Sequence, residues 1–419
     1  MRKKIFKISA CVLVALFSFS ANAQQNSLKE ILRYALKADP RILEAKANVA
    51  VAEAQTKIAQ AGHYPVLSVT NTQILSQRHK DSQDRQRSNP ALKGQINLYA
   101  WGAIQGEVER DKYKEGFFRY KQEETKEQVA KSIVELYLTA LQAKESIAIY
   151  KESLKRHKSI LKNIQSIVSY DVGRAFEVEE AESRALQVES IIEQQSRIMH
   201  ISLSRLNRYT QKAMTENDLI EPFVNDIPEK FISQYKNKQL NNNPTYLAQQ
   251  KELESTREGI KVAKAKLLPA INLQGELYKK GYEVQLGVSW NIFDVASYRS
   301  IEQHSYTENA AKAKLQEVLL ELEEQERTAE IDMKQNHRRL NVTKKQIATQ
   351  RKVVSSVELQ FDIAQRSLLD VLNAYQELSH IQIEETNIKN DYRVAALNYL
   401  VSQAHVAKWA GVESIHLKF

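Results

Sequence analysis

The feature that most constrains this 419-residue sequence is an internal repeat, which its few prolines mark. Pro40 and Pro65 are 25 residues apart, and the same spacing of 25 residues separates Pro244 from Pro269. A spacing repeated at this distance indicates that one arrangement of secondary structure occurs twice along the chain. The fold is therefore expected to consist of two similar halves, in which each element of one half predicts a counterpart in the other.

Each proline pair is expected to bracket a helix. Asp39 and Asn243 stand directly before the first proline of each pair and carry side chains preferred at a helix N-cap. Proline suits the first helical turn because its missing N–H has no partner there. The second proline ends the helix, because its ring clashes with the carbonyl four residues back.

After each second proline the pattern changes to that of β-strand. In 282-YEVQLGVSWNIF-293 apolar residues alternate with polar or small ones, and 271-INLQGELY-278 alternates in the same way. These two strands predict a β-hairpin over 271–293. Its counterpart in the first half is a hairpin over 66–99, interrupted by a polar loop over 76–89. Each half thus supplies two strands.

A very long helix is predicted after each hairpin. Residues 103–168 and 295–361 contain no proline, and the whole chain has only 11 Gly and 7 Pro. At about 1.5 Å per residue, each helix is roughly 100 Å long. A return helix is expected after each, over 176–206 and 368–405.

Two short stretches separate the long helices from the return helices. They are 170-YDVGRAFEVEEA-181 and 361-FDIAQRSLLDVLNA-374, and both are predicted to be turns at which the chain reverses. The resulting organisation is a first repeat over 24–206, a connector over 207–242, a second repeat over 243–405 and a C-terminal tail over 406–419.

The N-terminal segment is expected to be a secretory signal peptide over 1–23. It is basic at the start, apolar as far as Phe19, and ends in Ala21-Asn22-Ala23. The alternative, a membrane anchor, is disfavoured because the apolar run is too short to span. Removing its four basic residues lowers the net charge from +9 to +5, which gives no reason to expect nucleic acid as a partner. The single cysteine, Cys11, leaves with this segment, so no disulfide is expected.

No motif for catalysis or cofactor binding is found in the sequence. The nine His residues are scattered without the spacing of metal ligands, and no phosphate-binding glycine loop occurs. We therefore expect no enzyme and no cofactor. A rival interpretation is a non-channel periplasmic coiled-coil adaptor, but the Gly- and Val-rich domains of such proteins are missing.

Four strands are too few to close a membrane barrel, because bacterial outer-membrane barrels begin at about eight strands. An open sheet in lipid would leave the backbone groups of its edges unpaired, at several kcal/mol each. Association of chains removes this cost, since two chains give eight strands and three give twelve. With the long helices beneath it, such a barrel predicts a conduit.

This duplicated order resembles the TolC-like outer-membrane factor family. The similarity rests on the turns 170-YDVG and 361-FDIAQRSLLDVLNA and on the hairpin exits 97-NLYAWG-102 and 291-NIFD-294. It implies a mainly α fold with a membrane β-barrel. In this fold a homotrimer shares a 12-stranded barrel, four strands per chain, that continues into a long periplasmic α-helical barrel. The implied location is the outer membrane and its lipid, and the implied partners are a periplasmic adaptor and an inner-membrane exporter of the ABC type.

The stretch 96-INLYAWGAIQGEVERDKYKEGFFRYKQEE-124 resembles family members that serve type I secretion of large surface adhesins. The expected function is therefore a passive conduit for a secreted protein. The alternative is the outer-membrane component of a small-molecule or drug efflux pump, because efflux members share the same architecture.

The resemblance also implies a gate at the periplasmic turns. Asp370 matches the first acid of the family's narrow ring, and Asn373 stands where a second acid is usual. Arg366 and Glu177 match a link between helix pairs, whereas Phe361 replaces a Tyr and has no hydroxyl. Two alternatives stay open: Asp370 simply caps a helix start, and Arg366 is a solvated turn residue.

Aromatic residues near the strand ends predict an interfacial belt of the barrel. The candidates are Tyr99, Trp101, Tyr278 and Tyr282, and the alternative is ordinary barrel packing. Trp290 is a poorer candidate, because the predicted strand places it in the middle.

Overall fold

The computed structural model of the chain describes residues 28–73, 88–210, 213–223, 227–237, 240–279 and 281–412. The predicted signal peptide over 1–23 and most of the polar loop predicted over 76–89 lie outside these ranges, as do residues 413–419 of the tail. Among the described residues, no helix joins the length and the apolar character that crossing a membrane requires.

Nine α-helices and four strands occur in the described part of the chain. In chain order they are α1 Leu28–Ala38, α2 Pro40–Ala61, β1 Val66–Gln73, β2 Ser88–Tyr99, α3 Ala103–Val168, α4 Ala175–Leu206, α5 Pro228–Tyr235, α6 Pro244–Ala265, β3 Ala270–Tyr278, β4 Gly281–Ser289, α7 Val295–Asp362, α8 Leu368–Ser402 and α9 Val406–Trp409. The order α2, β1, β2, α3, α4 recurs as α6, β3, β4, α7, α8, as the proline spacing predicts.

The helices between the prolines are capped as their sequences predict. The Asp39 carboxylate accepts a hydrogen bond from the Arg41 N–H at 2.9 Å, and the Asn243 side chain accepts one from the Thr245 N–H at 2.9 Å. Helix α1 was not predicted, and its apolar side is buried against α3 and α9. Helix α5 precedes α6 and packs on α7, as α1 precedes α2 and packs on α3.

The four strands form one antiparallel sheet in the order β1-β2-β3-β4. Strands β2 and β3 join the two halves, with Ile96 opposite Leu273 and an ion pair between Lys93 and Glu276. Among the described residues, β1 pairs with β2 alone and β4 with β3 alone, so neither edge strand has a strand neighbour on its outer side.

The second hairpin is shorter than the sequence predicts. Strand β4 ends at Ser289, which pairs with Ala270, so the expectation of a strand as far as residue 293 is wrong. The partner strand stops there because Pro269 comes next and has no N–H to donate to a sheet ladder. Trp290 therefore lies beyond the strand, and the chain passes to the Asp294 cap of α7.

The long helices lie side by side away from the sheet. Helix α3 packs against α2 and α6 and then between α4 and α8, while α7 packs against α6 and α8. The row of helices is therefore α4, α3, α8, α7. The outer sides of α4 and α7 are the two ends of this row.

The main hydrophobic core lies at the level of the connector. It combines buried residues of α1, the middle of α3, the end of α4, the connector and the end of α8. Helix α8 ends at Ser402, before the predicted residue 405, because Ala404 turns to a left-handed φ of 52°. The tail begins with α9, whose Trp409 ring packs 5.0 Å from the Phe223 ring.

Candidate functional site at the helix turns

The turn between α7 and α8 lies at the end of the long helix that is farthest from the sheet. Ala364 has a left-handed φ of 59°, and the N–H of Gln365 donates to the Gln360 carbonyl at 2.8 Å. This pattern closes a helix and usually places glycine at the left-handed position. The turn is therefore sharply defined although its sequence contains no glycine.

Asp370 occupies the third position of α8 and forms a reciprocal cap with Ser367. Its carboxylate accepts from the Ser367 N–H at 3.0 Å and from the Ser367 hydroxyl at 2.8 Å. In return, the Asp370 N–H donates to the Ser367 hydroxyl oxygen at 3.2 Å. These hydrogen bonds from Ser367, with help from the Arg366 charge, hold the pKa of Asp370 below its ordinary value. Within one chain, the contacts of Asp370 are therefore those of a helix-capping residue.

Arg366 and Glu177 each have a nearby partner in their own turn. Arg366 donates to the Gln360 side chain at 3.0 Å and lies 3.9 Å from Asp370. Glu177 accepts two hydrogen bonds from Arg174, at 2.9 and 2.8 Å. No ion pair joins Arg366 to Glu177 within the described chain, so this link stays a prediction for the assembled protein.

Phe361 and Asn373 differ in their surroundings. Phe361 packs against a small buried cluster formed by Ile164, Leu368 and Leu372. It also lines a cavity of about 390 Å³ between α3 and the turn. Phe361 therefore makes apolar contacts at the position where the resembling family has a Tyr hydroxyl. The Asn373 side chain is exposed and makes no hydrogen bond with a described residue.

Two features of this site were not predicted, although the sequence carried a signal for one of them. Ser367 and Asp370 have the spacing of a capping box, which marks a helix start. The Arg174–Glu177 pair also has a helical spacing of three, but many such pairs occur in this sequence and none of them stands out.

The predicted aromatic belt divides between the two ends of the sheet. Tyr99 and Trp101 lie at the helix end, with ring centroids 5.1 Å apart, and the Trp101 indole N–H donates to the Pro269 carbonyl at 2.7 Å. Tyr278 and Tyr282 lie at the opposite end, beside the β3–β4 turn. Through this hydrogen bond, Trp101 also links the segment between β2 and α3 to the residue before β3.

A buried arginine ties the helical layer to the connector. Arg393 of α8 is 1% exposed and donates to Glu145 of α3 at 2.9 and 2.7 Å and to Glu221 of the connector at 2.7 Å. The two carboxylates hold the pKa of Arg393 above its ordinary value against the effect of burial. No sequence pattern distinguishes this arginine from the other Lys and Arg residues, which number 60 in all.

A family model described as outer membrane efflux protein matches residues 31–210 and 236–400. The chain belongs to the outer membrane efflux protein family. The two matched ranges correspond to the two halves of the duplicated fold. No curated protein sequence matches the chain.

Solved structures of outer-membrane channels have the same fold. The CmeC channel of Campylobacter jejuni superposes with a TM-score of 0.77 at 17% identity, over 93% of this chain and 87% of that one. VceC of Vibrio cholerae gives 0.77 at 13% identity, over 90% and 96%. The open-state MtrE channel of Neisseria gonorrhoeae gives 0.74 at 14% identity, over 90% and 88%.

Family membership confirms two of the predictions made from the sequence. As an outer membrane efflux protein the chain is located in the outer membrane, and it is a transport protein of the TolC type. The long helices are its periplasmic part. The turns that carry Asp370 and Glu177 lie at the end of these helices that is farthest from the sheet.

Proposed function

We propose that three copies of this chain close one 12-stranded barrel over a helical tunnel and act as a passive conduit. The observation that carries this proposal is the pair of free sheet edges, β1 and β4. Pairing β4 of one copy with β1 of the next satisfies both edges, and three such junctions close the ring.

The side-chain pattern of β4 supports a barrel with lipid outside and water inside. Every residue of this strand is exposed in the single chain. Apolar side chains alternate with polar or small ones, in the order Tyr282, Glu283, Val284, Gln285, Leu286, Gly287, Val288 and Ser289. Such alternation is the signature of a membrane strand.

Energy and cargo selection come from partners in this proposal. The chain carries no motif for nucleotide binding, so an inner-membrane exporter of the ABC type supplies the work. A periplasmic adaptor joins that exporter to the tip formed by the two helix turns. Docking opens the tip, which is closed at rest.

Three residues at the tip are proposed to form the gate. Three copies of Asp370 around the axis form a ring of carboxylates that attracts cations and resists anions. Arg366 and Glu177 form a link between the helix pairs in the closed trimer, where they exchange their local partners for each other. An exposed pair contributes only about 0–1 kcal/mol, which suits a contact that opens on docking.

Conductance of the purified protein in planar bilayers tests both the conduit and the link. Wild type is expected to form a heat-sensitive trimer with small, cation-preferring currents. Arg366→Glu and Glu177→Lys are each expected to raise the single-channel conductance. Arg174→Gln is the control, because it removes the local cationic partner of Glu177 without adding a charge, and it is expected to leave the conductance unchanged. A wild-type protein without channels overturns the conduit, whereas unchanged conductance in both link variants removes the link alone.

The proposed cargo is a secreted protein of the large adhesin class, carried by type I secretion. This choice is supported by the similarity of residues 96–124 to members with that role. Small-molecule efflux is the second candidate, and the description of the matching family model as an efflux protein favours it. Deleting the gene separates the two. Loss of a large surface protein with unchanged drug tolerance supports secretion, and the reverse result supports efflux.

A further inference from the structure

The outer side of α4 carries a row of acidic residues. Glu179, Glu182, Glu189 and Glu193 recur at intervals that return to one side of a helix, and Leu186 stands in the middle of the row. All four acids are exposed, and only Glu189 has an ion-pair partner among the described residues, Lys158 at 3.8 Å. We call these four acids the acidic row.

The matching part of α7 is basic. Arg338, Lys345 and Lys352 recur every seven residues, are exposed, and make no salt bridge with a described residue. Residues 333–357 contain no Asp or Glu, so no negative charge within this stretch balances them. We call these three residues the basic row.

We propose that the acidic row of α4 docks on the basic row of α7 in a neighbouring copy of this chain. The inference rests on the proposed trimer and deepens it by assigning the residues that join the copies below the membrane. The two rows lie on the two end helices of the α4, α3, α8, α7 layer, where the described part of the chain provides no further long helix.

The internal repeat provides a template for this contact. Among the four helices of this layer, α3 packs between α4 and α8, whereas its counterpart α7 packs on α8 alone. Because α4 and α8 occupy equivalent places in the two halves, the helix that α7 lacks is expected to be an α4. The chain's own α4 already packs on α3, so the missing helix comes from another copy.

The heights of the residues agree with the template. Arg156 lies over the Tyr375 ring at 5.2 Å, twelve residues before the end of α3 and seven after the start of α8. Gln142 donates to Asn387 at 2.9 Å, 26 residues before that end and 19 after that start. The count from the end of α3 therefore exceeds the count from the start of α8 by five residues in the first contact and by seven in the second.

The charged rows fall at the same heights. Arg338 is 24 residues before the end of α7, and Glu193 is 18 after the start of α4. Lys352 is ten before that end, and Glu179 is four after that start. In both pairs the count from the end of α7 exceeds the count from the start of α4 by six residues. Six is also the mean of the two differences found between α3 and α8. Arg338 and Lys352 thus each meet an acidic residue. Lys345, 17 residues before the end of α7, falls at the height of Leu186, between Glu182 and Glu189.

Apolar residues continue the match above the charged rows. Ile331 stands seven residues before Arg338 and is 52% exposed, and Ile201 of α4 is 39% exposed. Their positions, 31 residues before the end of α7 and 26 after the start of α4, place them at one height. Packing of α4 on the α7 of a neighbouring copy would bury both side chains. The charged pairs below them would fix the register between the two helices.

Charge reversal in the full-length protein tests the inference. Lys345→Glu with Lys352→Glu is expected to lower the temperature at which the trimer dissociates in low salt. Adding Glu179→Lys with Glu182→Lys is expected to restore it. The matched control is Lys155→Glu with Lys162→Glu, two exposed residues seven apart on α3 that make no described salt bridge. The difference from wild type is expected to shrink in 1 M salt, which screens exposed charges.

Cross-linking checks the contact directly. Cys11, the only cysteine in the sequence, lies in the predicted signal peptide, so Arg338→Cys with Glu193→Cys introduces a defined pair. Oxidation is expected to join chains into dimers and trimers. If the wild-type trimer and its channels form, but the reversed variant behaves like the control and no cross-link appears, the inference is overturned while the proposed function stands. A reversed variant that keeps its trimer and loses only adaptor binding also overturns it. A wild type without trimers overturns the proposed function itself.

Discussion

Asp370 joins two roles that a single substitution can separate. Its carboxylate accepts the hydrogen bonds that begin α8, and the proposed pore ring needs its negative charge. Asn at this position keeps an oxygen that accepts from Ser367 but has no charge. Asp370→Asn is therefore expected to keep the trimer's heat stability and to lose cation preference. Reversal potentials in asymmetric salt measure the preference.

The control for this prediction is Asp370→Ala, which removes the charge and the cap together. It is expected to reduce cation preference and also to lower the stability of the tip. If Asp370→Asn conducts with wild-type selectivity, Asp370 is only a capping residue and the ring does not form.

His157 is a buried titratable residue in the wall of helices. It is 3% exposed, its Nδ1 has no hydrogen-bond partner among the described residues, and it lines a cavity of about 140 Å³ with Arg184 and His380. Burial, and then the Arg184 charge, lower the pKa of His157 below its ordinary value. The neutral imidazole is therefore the form that the folded protein favours.

The stability of the folded protein is expected to depend on pH through His157. Above about pH 6.5 the imidazole is neutral in folded and unfolded chains and has no effect. Below it the unfolded chain binds a proton that the folded chain resists, so the free energy of unfolding falls, by at most about 1.4 kcal/mol per pH unit. His157→Gln is expected to reduce this loss between pH 7.5 and 5.0 in thermal melts.

Comparing wild type with His157→Gln separates the contribution of His157 to the pH dependence of stability from that of other titratable groups. Burial raises the pKa of Glu127 to about 7, and this carboxyl acts in the opposite direction because the folded state binds its proton more tightly. His380→Gln, an exposed residue of the same cavity, is the control. An identical pH slope in wild type and His157→Gln would contradict the prediction.

At the scale of elements, Arg393 connects α8, α3 and the connector. Arg393→Met would leave Glu145 and Glu221 close together without a counter-charge. Removing one partner of a buried ionic group typically costs about 3–5 kcal/mol. Because both carboxylates are about a quarter exposed, we expect a loss near the lower end of this range. Heat dissociation of the trimer and limited proteolysis of the connector measure it.

The control for the arginine is a neutral replacement of the whole group. Arg393→Met combined with Glu145→Gln and Glu221→Gln removes the unpaired charges and is expected to recover most of the lost stability. A single Arg393→Met variant as resistant to heat and protease as wild type would show that this ionic group does not hold the connector.

The long elements were predictable because backbone chemistry alone decides them. Absence of proline over 103–168 predicted an uninterrupted α3, and Asp39 and Asn243 predicted two helix starts through their caps. The end of β4 was not predictable from its own residues, whose alternation continues to Ile292. It depends on Pro269 of the neighbouring strand, and a pairing partner cannot be seen in a one-strand pattern.

At the scale of the whole molecule, the repeat predicted the architecture but not the contacts of the candidate gate. Arg366, Glu177 and Asp370 were selected because the two turns resemble those of the family, whereas their partners Gln360, Arg174 and Ser367 are local. Charged side chains in turns have several acceptors within reach, and the sequence does not rank them. Which of these contacts exchange in the proposed trimer would be decided by the surface between its copies, which one chain does not contain.

The open sheet described above also determines how the subunit must be delivered. A single copy in the periplasm has two unpaired strand edges and a strand whose nine residues are all exposed. Such an edge is a template for pairing with any extended chain. In the proposed assembly, a subunit that has not yet met its copies is therefore prone to wrong strand pairing unless a holding chaperone shields it. Overproduction of the chain is expected to exceed the capacity of that chaperone before the outer membrane is full of assembled protein.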